Sequence, residues 1–195
     1  PVVHTKGELV CCTPFPSMPI GFWNDPTKKL YRSAYFSEWP NVWKHGDYCQ
    51  IDAEGHVFVF GRSDATLKPG GVRIGTAEIY RAVEGLDFVL ESVCCGIESK
   101  PGEESVALFV LLKKGVDLND DHRKQIRLAI GTSSTRHHVP TVIEQVDDIP
   151  KTFSGKIVEL AVKNVLHGRE VKNLNAIANP SALTNFEKFC CSSKE

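Results

Sequence analysis

The residues of this chain whose types could do chemistry fall in two short stretches. The first, Gly46 to Glu78, reads GDYCQIDAEGHVFVFGRSDATLKPGGVRIGTAE and holds an acid at Asp47, the pair Gly61-Arg62, a second acid at Asp64, and Gly70 and Gly71 just ahead of Arg73. The second, PKTFSGK from Pro150, sets Lys156 behind a Ser154-Gly155 loop tip. A carboxylate accepts hydrogen bonds from neighbouring hydroxyls, and an arginine offers a fork of donors to anions. Adjacent glycines let a backbone approach a ligand that a Cβ would block. Each residue also has a plainer use: an acid and an arginine as a surface ion pair, glycines as a tight turn, a lysine as solvated surface.

The local elements bring some of these residues together. Tyr48 to Asp52 and His56 to Phe60 are short apolar runs joined by Ala53-Glu54-Gly55, which is a hairpin signal. A hairpin closed there delivers Asp47 and Arg62 to the same end of two adjacent strands.

Taken in order, the two stretches resemble the acyl-adenylate-forming (AMP-binding) synthetase family. The first follows the family's pattern GD, then GR-x-D, then G-x-R-x-G/S-x-x-E-I/V, across the region that joins the two domains of such enzymes. The second follows the closing motif P-K-T-x-S-G-K. The segments FWNDP and RHHVP extend the likeness over nearly the whole chain, but only to the final part of such an enzyme. The resemblance implies that Asp47 and Arg62 meet the ribose of ATP or AMP and that Arg73 meets the nucleotide phosphates. It implies that Asp64 is the hinge about which a C-terminal domain swings between adenylation and thioester formation. It also implies that Gly70 and Gly71 form a loop passed by the pantetheine arm of CoA, with Arg127 at the CoA phosphates. Lys156 is implied as the catalytic residue, neutralising charge as a carboxylate attacks the α-phosphate of ATP.

The implied substrates are acetoacetate, ATP carrying Mg2+, and CoA, in a cytosolic ligase of lipid and ketone-body metabolism. Acetate or propionate is the alternative acid, because acyl specificity is set mainly upstream. A truncated, non-catalytic binding or regulatory module is the alternative of a different class. No Ser/Thr/Gly-rich phosphate loop with its lysine occurs in the chain. These residues alone are therefore expected to be inactive and to pack on a large N-terminal domain.

Composition narrows the classes. The chain has 195 residues, 42% of them apolar and 24% charged, enough apolar side chains for a packed core rather than a disordered segment. Lys and Arg number 23 against 24 Asp and Glu, so nothing argues for nucleic acid or an anionic membrane surface as partner. No apolar run has the length of a membrane span. The opening Pro-Val-Val-His-Thr has neither an initiator Met nor a signal-peptide core, as expected of a fragment or processed product. The cysteines are Cys49 and three adjacent pairs, Cys11-Cys12, Cys94-Cys95 and Cys190-Cys191. None has C-x-x-C spacing, so no metal site is expected. In a strand only one of Cys94 and Cys95 should face a core, and reduced thiols are the expectation.

The remaining pattern predicts an α+β fold with a mixed or antiparallel sheet. One strand is expected at Gly7 to Thr13, with loops and turns in the rest of the proline- and aromatic-rich start, whose three tryptophans are expected to pack on the N-terminal domain. Thr76 should cap a helix carrying Ile79 and Val83. Strands are expected at 89–97 and 106–112 around a turn at Ser99 to Gly102, a helix at 119–130, a strand at 141–146, a helix at 157–166 ending at Gly168, and a short helix at 180–189. Adjacent His137 and His138 are expected in a loop role. The domain reading is residues 1–63 as the end of a large adenylating domain, 64–172 as a C-terminal mobile domain, and 173–195 as a tail.

Overall fold

Strands β1 (Gly7–Cys11), β2 (Trp43–Ile51) and β3 (Val57–Arg62) make an antiparallel sheet in that order, in a computed structural model that describes residues 2–100 and 102–190. The chain divides into two compact units, Pro1–Asp64 and Ala65–Glu195. Pro101 and Cys191, and with them part of the expected 99–102 turn and one member of the last cysteine pair, lie outside the described residues.

In the first unit the hairpin turn is built by Asp52, whose carboxylate accepts from His56 N at 2.8 Å while Gly55 N donates to Asp52 O at 3.2 Å. The strands run longer than the apolar runs suggest, and Phe60 is an extra residue opposite the Tyr48–Cys49 step, a bulge of the kind that re-aims strand ends. The aromatic start is not purely loop. Helix α1 (Lys29–Tyr35) forms after Asp25, whose carboxylate accepts from Tyr31 N at 2.9 Å. Its Tyr35 stacks on Trp43 with ring centroids 3.7 Å apart, and Phe15, Tyr31 and Phe36 surround the same indole. Trp43 is thus buried within its own unit, contrary to the expectation for all three tryptophans, whereas Trp23 is 99% exposed.

The second unit is an α+β domain around a three-stranded mixed sheet. Strand β4 (Val89–Lys100) pairs antiparallel with β5 (Glu103–Leu112), which pairs parallel with β6 (Val142–Gln145). Helix α2 (Thr76–Val83) and helix α3 (Asp120–Ser133) cover one face through Ile79, Val83, Ile126 and Ile130. Helix α4 (Glu159–Leu166) and the short α5 (Thr184–Glu187) cover the other through Val162, Leu166 and Phe186. Because both faces are covered, Cys94 and Cys95 are both buried, one in each core. The expectation that one of them points away from a core fails for that reason. All six described cysteines are free thiols.

Local signals set most boundaries. Asn119 caps α3 by accepting from His122 N at 2.9 Å, with Asp120 and Asp121 in the first turn, where the helix dipole favours acids. Helix α2 is capped by Gly75 rather than Thr76, which is its buried first residue. Helix α4 starts at Glu159, not Ile157, because Ile157 is bridged to Lys151 and Val158 N is bonded to Pro150 O. The expected 180–189 helix is a 3-10 turn at Pro180–Leu183 running into α5. It belongs to the core: Phe186 is fully buried, 5.1 Å from the Phe109 ring in an edge-on contact.

Phe186→Ala should cost about 3–5 kcal/mol in urea unfolding of the second unit, and Leu128→Ala, on the exposed face of α3, about 0.5 kcal/mol or less. Burial pushes the Cys94 and Cys95 thiols well up, with the Glu159 charge adding to both. Raised folded-state values mean that stability is held at neutral pH and lost as pH rises through the range where unfolded thiols ionise, about 8.5. The urea midpoint should fall between pH 8 and pH 10, while alkylation followed by mass spectrometry labels exposed Cys12 and spares Cys94 and Cys95.

Candidate functional site

The hairpin register places Asp47 directly opposite Arg62. The Asp47 carboxylate lies 3.5 Å from Arg62 Nη1 through one oxygen and 2.6 Å from His45 Nδ1 through the other. Arg62 also donates to His45 O at 3.3 Å and approaches Asp64 Oδ1 at 3.6 Å. Arg62, His45 and Asp64 border a cleft of about 300 Å³ that also includes Tyr35, Gly46 and Ser63. Gly46 makes the arrangement possible. Its φ is +88°, and a Cβ there would sit 2.5 Å from Arg62 Nη2, so the guanidinium lies against bare backbone. Gly46 N donates to Glu8 Oε1 at 2.7 Å and Ser63 N donates to Gly46 O at 3.0 Å, which ties all three strands at this point. His45 was missed by sequence reasoning. The period-2 alternation of β2, which puts residues 45 and 47 on one side, was the signal for it.

In the second unit, Leu67 and Ile74 bond each other's backbones at 3.0 and 2.9 Å and close the loop that carries Gly70, Gly71 and Arg73. Both glycines have positive φ, 58° and 80°, which side-chain-bearing residues seldom adopt in succession. Lys68 N donates to Glu104 Oε1 at 2.6 Å, and that side chain crosses the space where Gly96 lacks a Cβ. Arg73 is exposed, with Nε donating to Thr66 Oγ1 at 3.0 Å. Arg127 is half-buried and donates from Nε to Pro140 O at 3.4 Å.

Arg136–His138 is a 3-10 turn. His138 is buried, with Nδ1 3.0 Å from Thr135 Oγ1 and Nε2 3.3 Å from Glu78 Oε2, close enough for an ion pair though without hydrogen-bond geometry. A Cβ on Gly70 would come within 3.7 Å of the His137 ring. The 136–138 turn therefore backs the glycine loop, a contact invisible in the RHH triplet itself.

Lys156 ends a tight hairpin. Gly155 N donates to Thr152 O at 2.9 Å, Thr152 N to Lys156 O at 2.8 Å, and Lys156 N to Thr152 Oγ1 at 3.1 Å. Gly155 takes φ +82° to close the turn, and Phe153 through Lys156 are exposed. The structure thus brings Asp47, Arg62 and Asp64 together in the first unit. In the second, Gly70, Gly71 and Arg73 share one loop, Lys156 stands on a separate hairpin, and Arg127 is on α3.

Residues 78–156 of the chain match the family model of the AMP-binding enzyme C-terminal domain. Its α+β fold is the one found in adenylate-forming enzymes. The chain is 53% identical over 186 residues to the acetoacetyl-coenzyme A synthetase of Rhizobium meliloti (strain 1021), covering 95% of this chain and 28% of that protein. It is 44% identical over 190 residues to the acetoacetyl-CoA synthetase of Gallus gallus, covering 97% and 28%. The solved acetoacetyl-CoA synthetase from Streptomyces lividans superposes with a TM-score of 0.90 at 38% identity, covering all of this chain and 29% of that one. The chain therefore spans somewhat over a quarter of the length of the relatives it matches.

Gly46→Ala should displace the Arg62 guanidinium and strain the positive φ, costing about 1–3 kcal/mol. The denaturation midpoint of the first unit checks this, and Gly55→Ala, where a Cβ meets nothing within 4 Å, separates the effect of φ from that of the arginine.

Proposed function

We propose that this chain is the C-terminal part of an acetoacetyl-CoA synthetase, an AMP-forming acid–thiol ligase. The observation that carries this is 53% identity, over 95% of the chain, with an enzyme of that name. Residues 1–63 are then the end of the large adenylating domain, 64–172 the C-terminal mobile domain, and 173–195 a tail. A carboxylate oxygen of acetoacetate attacks the α-phosphorus of ATP, and pyrophosphate leaves as its bond to that phosphorus breaks. The thiol of CoA then attacks the acyl carbon, losing its proton, and AMP departs.

The first unit suits a ribose. Asp47 has acceptor capacity beyond its contacts with His45 and Arg62, and those two partners border a cleft. Arg62, half-exposed, supplies donors on the same side. In the second unit the exposed Arg73 serves the nucleotide phosphates. Gly70 and Gly71 present backbone without side chains to the pantetheine arm of CoA, and Arg127 serves the CoA phosphates with the donors that Pro140 leaves. Mg2+ arrives with ATP. Asp64, whose one close partner among these groups is Arg62 at 3.6 Å, is the hinge, where few contacts resist a backbone rotation.

Lys156 provides charge. Two anions must approach in the first step, and an ammonium on an exposed hairpin tip offsets their repulsion as the new phosphorus–oxygen bond forms. Free cysteines support a reducing compartment, the cytosol. Among the described residues no helix is long and apolar enough to cross a membrane. Exposed Ile20, Trp23 and Leu30 support docking of the first unit against the rest of a large domain.

In the full-length enzyme, Lys156→Ala should slow acetoacetate-dependent ATP–pyrophosphate exchange by an amount equivalent to about 2–4 kcal/mol. It should leave conversion of supplied acetoacetyl-adenylate and CoA near the wild-type rate. Exchange at the wild-type rate in the variant would remove Lys156 from this role, and faster exchange with acetate or propionate than with acetoacetate would overturn the substrate.

A further inference from the structure

The hairpin that carries Lys156 has a second set of supports lying outside its own motif. Residues 150–152 run between two flanking segments. On one side Lys151 bridges Ile157, and Thr152 N donates to Lys156 O at 2.8 Å. On the other side Thr152 bridges Ile177, Ala178 N donates to Lys151 O at 2.8 Å, and Lys151 N donates to Asn179 Oδ1 at 2.8 Å. The result is a miniature three-stranded arrangement with Lys156 on one outer member and residues 177–179 on the other. Those outer residues lie past the 78–156 region that the family model covers.

Asn179 is the pin of this arrangement. Besides accepting from Lys151 N, its amide nitrogen donates to Asp148 Oδ2 at 2.7 Å and to Ile149 O at 3.0 Å. It therefore spans the backbone on both sides of Pro150, where the motif begins. The segment carrying it is fixed independently, by buried Ile177 before it and by Ala182, Leu183 and Phe186 after it. The Lys151 ammonium adds a further tie, 2.6 Å from Glu91 Oε1 on β4. The tip, by contrast, is exposed from Phe153 to Lys156, so the direction of the lysine is set at the base of the hairpin.

We propose that Asn179, with the 177–179 segment, is a positioning residue for Lys156, fixing the base of the hairpin so that the ammonium is presented in one direction. This rests on Lys156 being the adenylation lysine. An electrostatic donor acts on a transition state only when held in place, and a misplacement of 1 Å costs on the order of a hundredfold. Without the Asn179 side chain, Lys151 N loses its acceptor, Asp148 and Ile149 lose their donor, and one edge of the 150–152 segment is released.

The test uses the full-length enzyme and its two half-reactions, with amide hydrogen exchange as a readout independent of activity. Asn179→Ala should lower ATP–pyrophosphate exchange about ten- to a hundredfold, leave thioester formation from supplied acyl-adenylate within about twofold, and speed amide exchange at Lys151 and Lys156. Asn179→Asp sets a carboxylate against Asp148 and should be as defective. Adding Asp148→Asn restores the pair with donor and acceptor exchanged, and should recover most of the adenylation rate. Unchanged adenylation in Asn179→Ala, equal loss in both half-reactions, or no recovery in the double variant would each overturn the proposal. If Lys156→Ala is impaired in adenylation while the Asn179 variants are not, only this inference fails. If Lys156→Ala adenylates normally, the role given to Lys156 fails first.

Discussion

Strand β5 must satisfy two cores at once, and the second unit is arranged around that requirement. Val106, Leu108, Val110 and Leu112 point into one core, and Ala107 and Phe109 into the other. A strand apolar on both sides cannot leave either face to water, so each face needs helical cover. The helices that provide it, α2 and α3 on one side and α4 and α5 on the other, fix the loops that lead into them. The Gly70–Arg73 loop enters α2 and the Lys156 hairpin enters α4. Burial of apolar area at the sheet is thus what places the two candidate loops, and the polar contacts refine their direction.

Those polar contacts concentrate at the outer edge of β4. Cys94 N donates to the Tyr80 hydroxyl at 3.1 Å, and Tyr80 in turn donates to Glu159. Burial, with the Cys94 and Glu159 charges adding, holds the Tyr80 hydroxyl well above its ordinary range, so it stays protonated as a donor. One hydroxyl thereby covers an edge N–H that would otherwise invite strand pairing, and it joins the first helix after the glycine loop to the first residue of the helix after the lysine hairpin. Lys68 and Glu104 make a similar link, possible because Gly96 has no side chain in the way. In the first unit Gly46 has the corresponding part, since the Arg62 guanidinium occupies the volume a Cβ would need.

The sequence by itself determined the parts governed by short-range chemistry. The apolar runs around Ala53-Glu54-Gly55 specified a hairpin that brings Asp47 and Arg62 to the same end of two strands, and the bulge at Phe60 sets them directly opposite each other. The spacing of Ile126 and Ile130 marked the helix at 119–130 that the structure has as α3. The spacing of Ile79 and Val83 marked the buried face of α2. The motifs PKTFSGK and GGVRIGTAE identified a family whose domain residues 78–156 match.

What needed the tertiary structure depends on partners distant along the chain. Whether both Cys94 and Cys95 are buried depends on whether helices cover both faces of β4, and alternation within the strand carries no such information. Ile157 and Val158 fit a helical pattern, yet the bridge of Ile157 to Lys151 and the donation of Val158 N to Pro150 O hold them out of the helix and delay α4 to Glu159. Trp43 had the look of a residue awaiting another domain until α1 supplied Tyr31 and Tyr35 around it. Asn179 in an NPS triplet has the plain signature of a helix start, and its contacts lie 28 to 31 residues back. Turn chemistry and side-chain periodicity act over a few residues and are legible in order. The satisfaction of a backbone N–H by a side chain that distance away is a property of the folded chain alone.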